Sequence, residues 1–179
     1  MGQQGKHLNS IKVSHEKHTA GCATEIMAIP ETVCISMSQH IGAPCKPLVK
    51  KGDQVKVGQL IGDTDAFVSA PIHSSVSGTV KEISTIRSVT GGDDQVVIIE
   101  TDGNQDVYEE IKPPVINDMK DFIAAVRASG LVGLGGASFP THIKLNPKNL
   151  EEVDTLIVNA AECEPFITSD HRLMLENTE

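Results

Sequence analysis

Apolar and polar positions divide the 179-residue chain into three stretches. Residues 1–28 are polar and follow no period. Residues 29–112 carry short apolar or alternating runs broken by Gly, Pro and Asp, the pattern of strands joined by tight turns. Residues 33–37, VCISM, alternate, while residues 42–49, GAPCKPLV, hold two prolines and predict a turn or an edge strand. Residues 49–62, VKKGDQVKVGQLIG, read as strand, Gly-Asp turn, strand, Gly turn, strand. Residues 69–80, SAPIHSSVSGTV, repeat that logic, and residues 96–100, VVIIE, predict a buried strand. Pro113 and Pro114 then interrupt the pattern and mark a boundary. Beyond them Met119, Phe122, Ile123 and Val126 fall on one face of a helix. Asn117 is its expected N-cap, and Gly130 is placed to end it. Asp118 and Asp121 suit its positive end and Arg127 its negative end. Residues 145–150 predict a turn, and residues 155–160, TLIVNA, predict a buried parallel strand. Helix, glycine loop, strand and a polar cluster at the strand's carboxyl end indicate α/β architecture for 113–179.

Composition narrows the function classes. The net charge of −9 argues against a nucleic-acid or anionic-membrane surface. Aromatics make up 3% and Trp is absent, so platforms for stacking bases are nearly missing. No run approaches the roughly 18 apolar residues that span a bilayer, and the first residues lack the apolar core of a secretory signal. The four cysteines, Cys22, Cys34, Cys45 and Cys163, form no CxxC pair, so no zinc ribbon or ferredoxin-type cluster is expected, and reduced thiols are. His15 and His18 lack a third ligand nearby and belong to a solvated tail, disordered or draped over the next domain. His40 and His73 either reach a ligand or, the favoured reading, bond to backbone as partly buried imidazoles. Asp63, Asp65, Asp93, Asp94 and Asp102 fit turn roles without a metal.

The chemistry concentrates in residues 130–144, GLVGLGGASFPTHIK, where four glycines fall within seven residues: Gly130, Gly133, Gly135 and Gly136. Glycine permits φ > 0 and close approach of a ligand to the main chain. Successive amides in such a turn form an anion-binding concavity, to which Lys144 adds a positive charge. A helix cap followed by a flexible loop would give the same glycines. The spacing Gly133-x-Gly135-x-x-Ser138 does not complete a dinucleotide fingerprint, so an ordinary NAD-binding βαβ unit is not supported.

With residues 158–165, VNAAECEP, the loop resembles the flavin-binding pattern GLxGxGGAGFPTxxK…NAxExEP. The NADH-oxidising subunit of respiratory complex I and the C subunit of the Rnf electron-transport complex share that pattern. Residues 38–50 and the continuation FITSDHRLM (166–174) look like the Rnf protein. VKKGDQVKVGQLIG with SAPIHSSVSGTV resembles the barrel-sandwich hybrid of biotinyl and lipoyl domains, but residues 57–80 hold no Lys to carry such a group. The fold expected is therefore α+β overall. A polar N-terminal tail (1–28) precedes an all-β barrel-sandwich hybrid, lipoyl-like, domain (29–112). The start of an α/β flavin/NADH-binding domain follows (113–179).

The resemblance implies an electron-transport oxidoreductase, the peripheral NADH-reacting subunit of a membrane ion-translocating ferredoxin:NAD complex, on the cytoplasmic face. It implies FMN and NAD(H) as cofactors, and other complex subunits and a ferredoxin-type protein as partners. It implies 4Fe-4S clusters only in a region further along the family's chain. Gly133, Gly135 and Gly136 match glycines that admit flavin and phosphate, and Lys144 matches a lysine near the flavin. Asn159 matches a strand-end cofactor ligand, Glu162 and Glu164 match acidic pocket-lining positions, and Phe139 matches an aromatic beside the dinucleotide. Ser138 departs from the pattern's Gly and would strain the loop if that position needs φ > 0. The resemblance covers residues 33–179 and the front part of the family's protein, so the chain alone is expected to be inactive and to bind FMN weakly or not at all. An unmodified lipoyl-like adaptor module and a cobalamin-type flavin reductase are the alternatives.

Overall fold

The computed structural model describes residues 13–88, 91–134, 136–162 and 164–177. They form two compact units, one of residues 28–154 and one joining the residues up to 27 with those from 155 onward.

The larger unit is built on two antiparallel sheets. One has the order β1 (Thr32–Ser36), β7 (Asp93–Thr101), β6 (Gly78–Arg87), β3 (Gln54–Val55), and the other β2 (Lys46–Pro47), β4 (Leu60–Asp63), β5 (Ile72–His73). The long β6–β7 hairpin runs in register from Gly78↔Thr101 to Arg87↔Asp93, with an irregularity between Val80 and Glu82. Side chains that alternate inward from both sheets meet in one core of Ile35, Met37, Val55, Ile61, Ile72, Val80, Val97 and Ile99. Pro47 lies on an edge strand, where its missing N–H breaks no ladder. The Gly-Asp turn before β3 closes as the sequence predicts. Asp53 N donates to Lys50 O and Lys50 N to the Asp53 carboxylate. Asp93 and Asp94, expected in turns, lie inside β7, where Asp93 faces Arg87 across the hairpin.

Residues 106–111 turn back along the barrel, with Val57 N donating to Asp106 O and Tyr108 N to Val57 O. Helix α1 (Met119–Ala128) follows. Its N-cap is Asp118, one residue later than expected, whose carboxylate accepts from Asp121 N at 2.8 Å. Asn117 instead donates from its backbone and side-chain amides to Asp121 Oδ2. Gly130, at φ +73°, sits just past the Ser129 C-cap. Any side chain there would meet Pro71 O at 2.5 Å and the His73 ring at 3.2 Å, so glycine is what lets the turn press on β5. Arg127 fixes the same junction by donating to Asp63 Oδ1 at 2.9 Å, Thr64 O at 3.1 Å and Ser69 Oγ at 3.3 Å. The helix and its glycine loop therefore pack with the barrel as one unit.

A short helix α2 (Thr141–Lys144) and a 3₁₀ turn (Leu150–Glu152) complete this unit. Residues 155–160, expected as a buried strand, form no strand, and Leu156, Ile157 and Val158 are 78–84% exposed. A strand exists only through a neighbouring strand that takes its backbone hydrogen bonds, and no described strand lies in a sheet with residues 156–160.

The smaller unit holds helix α3 (Ser169–Glu176). Residues 13–27, expected to be disordered or draped over the next domain, make contacts within it. Thr19 Oγ1 lies 2.6 Å from Thr168 Oγ1, Arg172 donates to Ala20 O, and Thr24 donates to Glu176. Residues 1–12 lie outside the described residues.

Candidate functional site

The glycine loop closes on itself. Val132 bridges Pro140, Gly133 N donates to Phe139 O at 3.0 Å, and Thr141 N donates to Leu131 O at 3.0 Å. A Cβ on Gly133 would lie 2.6 Å from Lys144 Nζ, so the glycine makes the room that the lysine ammonium occupies. Gly136 faces open space. Ser138 takes φ +51°, the left-handed conformation that glycine tolerates best, and its carbonyl accepts from Ile41 N at 3.3 Å. Gly133, Phe139 and Lys144 are thus brought together. Gly135 lies outside the described residues. An exposed lysine on a glycine loop suits a phosphate-bearing group.

Under the loop, the histidines behave as structural groups. His40 is buried, with Nδ1 3.1 Å from Ile41 O and Nε2 3.4 Å from Cys45 Sγ. The Cys45 thiol donates to Ala70 O at 3.3 Å. Burial, helped by the charge of Asp63, pushes that thiol up, which keeps it protonated and a poor nucleophile. Burial also lowers His73, against the pull of Asp63, so its imidazole stays neutral near pH 7. Burial raises the Asp63 carboxyl, but hydrogen bonds from Arg127 and Thr64 and the Arg127 charge outweigh it and hold the group below the usual range. Gln39, His40, Pro71, His73 and Gly130 line a cleft of about 110 Å³. Flavin-sized ligands occupy clefts of roughly 300 Å³ or more, so this one is too small for the ring. His142 is buried, its Nδ1 has no hydrogen-bond partner among the described residues, and burial and Arg127 both lower it.

Asn159, Glu162 and Glu164 belong to the smaller unit. Asn159 Oδ1 accepts from Ala161 N at 3.0 Å. Glu162 Oε1 accepts from Asp170 N at 2.8 Å and so caps α3, whose own N-cap side chain makes no such bond. Cys163 lies outside the described residues. Lys17 Nζ donates to the carbonyls of Glu162 at 3.1 Å, Glu164 at 2.7 Å and Ile167 at 2.7 Å. Sequence reading misses Lys17, because nothing in a polar tail announces a partner more than a hundred positions away. It misses the Arg127–Asp63 contact because nothing local pairs two residues 64 positions apart.

Comparison with known proteins accounts for both halves of the chain. Residues 6–104 match the family described as the RnfC barrel sandwich hybrid domain, and residues 126–179 match the Nuo51 FMN-binding domain. The chain is 46% identical over 168 residues to the C subunit of the proton-translocating ferredoxin:NAD(+) oxidoreductase complex of Clostridium ljungdahlii, covering 92% of this chain and 36% of that protein. It is 48% identical over 153 residues to the C subunit of the Na(+)-translocating ferredoxin:NAD(+) oxidoreductase complex of Acetobacterium woodii, covering 84% and 34%. The C subunit of the ion-translocating oxidoreductase complex of Rhodobacter capsulatus is 37% identical over 171 residues, covering 93% and 33%. The chain therefore spans about a third of the length of the curated relatives it matches.

Proposed function

The chain belongs to the RnfC family, and from that premise we propose that it serves as the barrel and the leading part of the FMN-binding segment of an electron-transport subunit that reacts with NADH. The observation that carries this reading is the glycine loop with its lysine: Gly133 leaves the room that Lys144 Nζ occupies, Lys144 is exposed, and Gly136 of the same loop faces open space. FMN supplies hydride and single-electron chemistry when bound. The protein's own part is to bind and orient it. The loop amides and Lys144 would hold the phosphate, with Gly135 in the same run. Phe139 would pack on the dinucleotide. Asn159, Glu162 and Glu164 would line the flavin and nicotinamide end. NAD(H) would be the second ligand, and a ferredoxin-type protein and further members of the complex the partners. Any 4Fe-4S centres would lie further along the family's protein, as the resemblance implies.

No described helix is long and apolar enough to cross a membrane; a peripheral position on the cytoplasmic face is part of the proposal. The barrel (29–112) and the flavin segment (113–179) would then be separate functional parts. Arg127 would clamp the second to the first.

Titration with FMN, read by flavin fluorescence, tests this. The 179-residue chain should bind weakly or not at all, and a polypeptide of the relatives' length should bind tightly. A flavin buries most of its surface in a cleft walled by several segments, and the few contacts of one loop do not offset the ordering they require. Failure of the longer polypeptide to bind FMN overturns the reading.

A further inference from the structure

We infer that residues 15–24 are a clamp that sets Glu162 and the loop 164–167, and that Lys17 is its positioning residue. An ammonium has three N–H donors. In Lys17 they go to three main-chain carbonyls, those of Glu162, Glu164 and Ile167. Carbonyl dipoles that converge on one point repel each other, and a cation at that point is what holds them together. The loop is fixed a second time by the Glu162 carboxylate on the start of α3. Between those anchors, Phe166 takes φ +69°, a strained conformation for a residue with a bulky side chain. Such strain persists only where surrounding contacts determine it. Here the contacts come from the N-terminal segment: Phe166 N donates to His15 O at 2.9 Å, and the His18 and Phe166 rings lie 6.2 Å apart at 45°. Thr19 on Thr168 and Thr24 on Glu176 continue the clamp along α3.

The clamp has a functional meaning only if Glu162 and Glu164 line the nicotinamide end, so the inference rests on the reading above. Lys17 acts on the main chain through these carbonyls. It fixes the backbone from which both project.

The test uses a polypeptide of the relatives' length in steady-state NADH oxidation with an artificial electron acceptor, with hydrogen exchange on the same samples. Lys17→Met keeps the aliphatic stem and removes the charge, and Lys17→Ala leaves room for an added alkylammonium ion. Both variants should raise KM for NADH about tenfold, or 1.4 kcal/mol, with kcat changed less than about twofold. The amides of Phe166, Ile167 and Thr168 should exchange faster while those of Val96 to Ile99 in the barrel keep wild-type protection. Added ethylammonium should restore KM in Lys17→Ala and leave Lys17→Met unchanged. Wild-type KM in both variants overturns the inference, as does a raised KM that ethylammonium does not restore. A wild-type polypeptide that binds neither FMN nor NADH defeats the underlying reading instead, and is distinguished by appearing before any substitution is made.

Discussion

Two apolar runs of nearly the same composition meet opposite fates. In β7 (Asp93–Thr101), Val96, Val97 and Ile99 are fully buried. In residues 156–158, Leu156, Ile157 and Val158 stay exposed and form no strand. Residue type does not separate them. β7 has β1 and β6 on its two sides and the second sheet across its face, so its amides are paired and its side chains leave water. The other run has neither neighbour among the described residues. Burial follows from partners supplied elsewhere in the chain, and propensity only permits it.

The largest expected effect tests the buried half. Ile99→Ala should destabilise the barrel by about 2–5 kcal/mol, read from the urea midpoint, whereas Ile157→Ala in the same chain should change it by less than about 0.5 kcal/mol. Equal losses would show that 156–158 is buried after all.

Next in size is the junction between barrel and loop. Gly130→Ala puts a Cβ 2.5 Å from Pro71 O at φ +73° and should cost about 1–2 kcal/mol. Arg127→Ala should cost about 1 kcal/mol, discounted because the pair is partly solvated, and should speed hydrogen exchange across 119–130. Acid should act on the same contact. The Asp63 carboxyl is held below its unfolded value, so its stabilisation is complete above that value and is lost as pH falls through the folded one. Protection of α1 should fall below about pH 4, and Arg127→Ala should flatten that dependence. In the smaller unit, hydrogen bonds from Thr24 and then Arg172 lower Glu176 from 4.5 to about 2. The clamp of residues 15–24 should therefore loosen only as pH drops through that interval, visible as rising exchange at Thr24.

The smallest effect concerns Ser138, at φ +51°. Ser138→Gly should relieve strain and raise stability by at most about 1 kcal/mol. A loss would mean that the Ser138 side chain makes a contact that outweighs the strain.

The barrel is legible in the sequence because its turns are written locally. Gly52 and Asp53 form a turn whose bonds close within four residues, and the alternation at 33–37 needs only a sheet to lie on. Gly130 is legible as a helix stop, and Ser138 as a position where glycine would be easier. The expected strand at 155–160 fails because a buried parallel strand and an exposed apolar run look alike until neighbours are known. Asp63 reads as a turn residue and does accept from Thr64 N, but its main partner is Arg127, 64 positions away. Lys17 cannot be found from sequence at all, since its partners are backbone carbonyls and carry no sequence signature.

Everything proposed for the flavin segment depends on the loop built around Lys144 holding the cofactor. The most direct measurement compares Lys144→Ala with Lys51→Ala, which alters a barrel turn, in a polypeptide of the relatives' length titrated with FMN. Lys144→Ala should weaken FMN at least about tenfold, or 1.4 kcal/mol, with Lys51→Ala indistinguishable from wild type. Equal affinities for the two variants would contradict that role for Lys144.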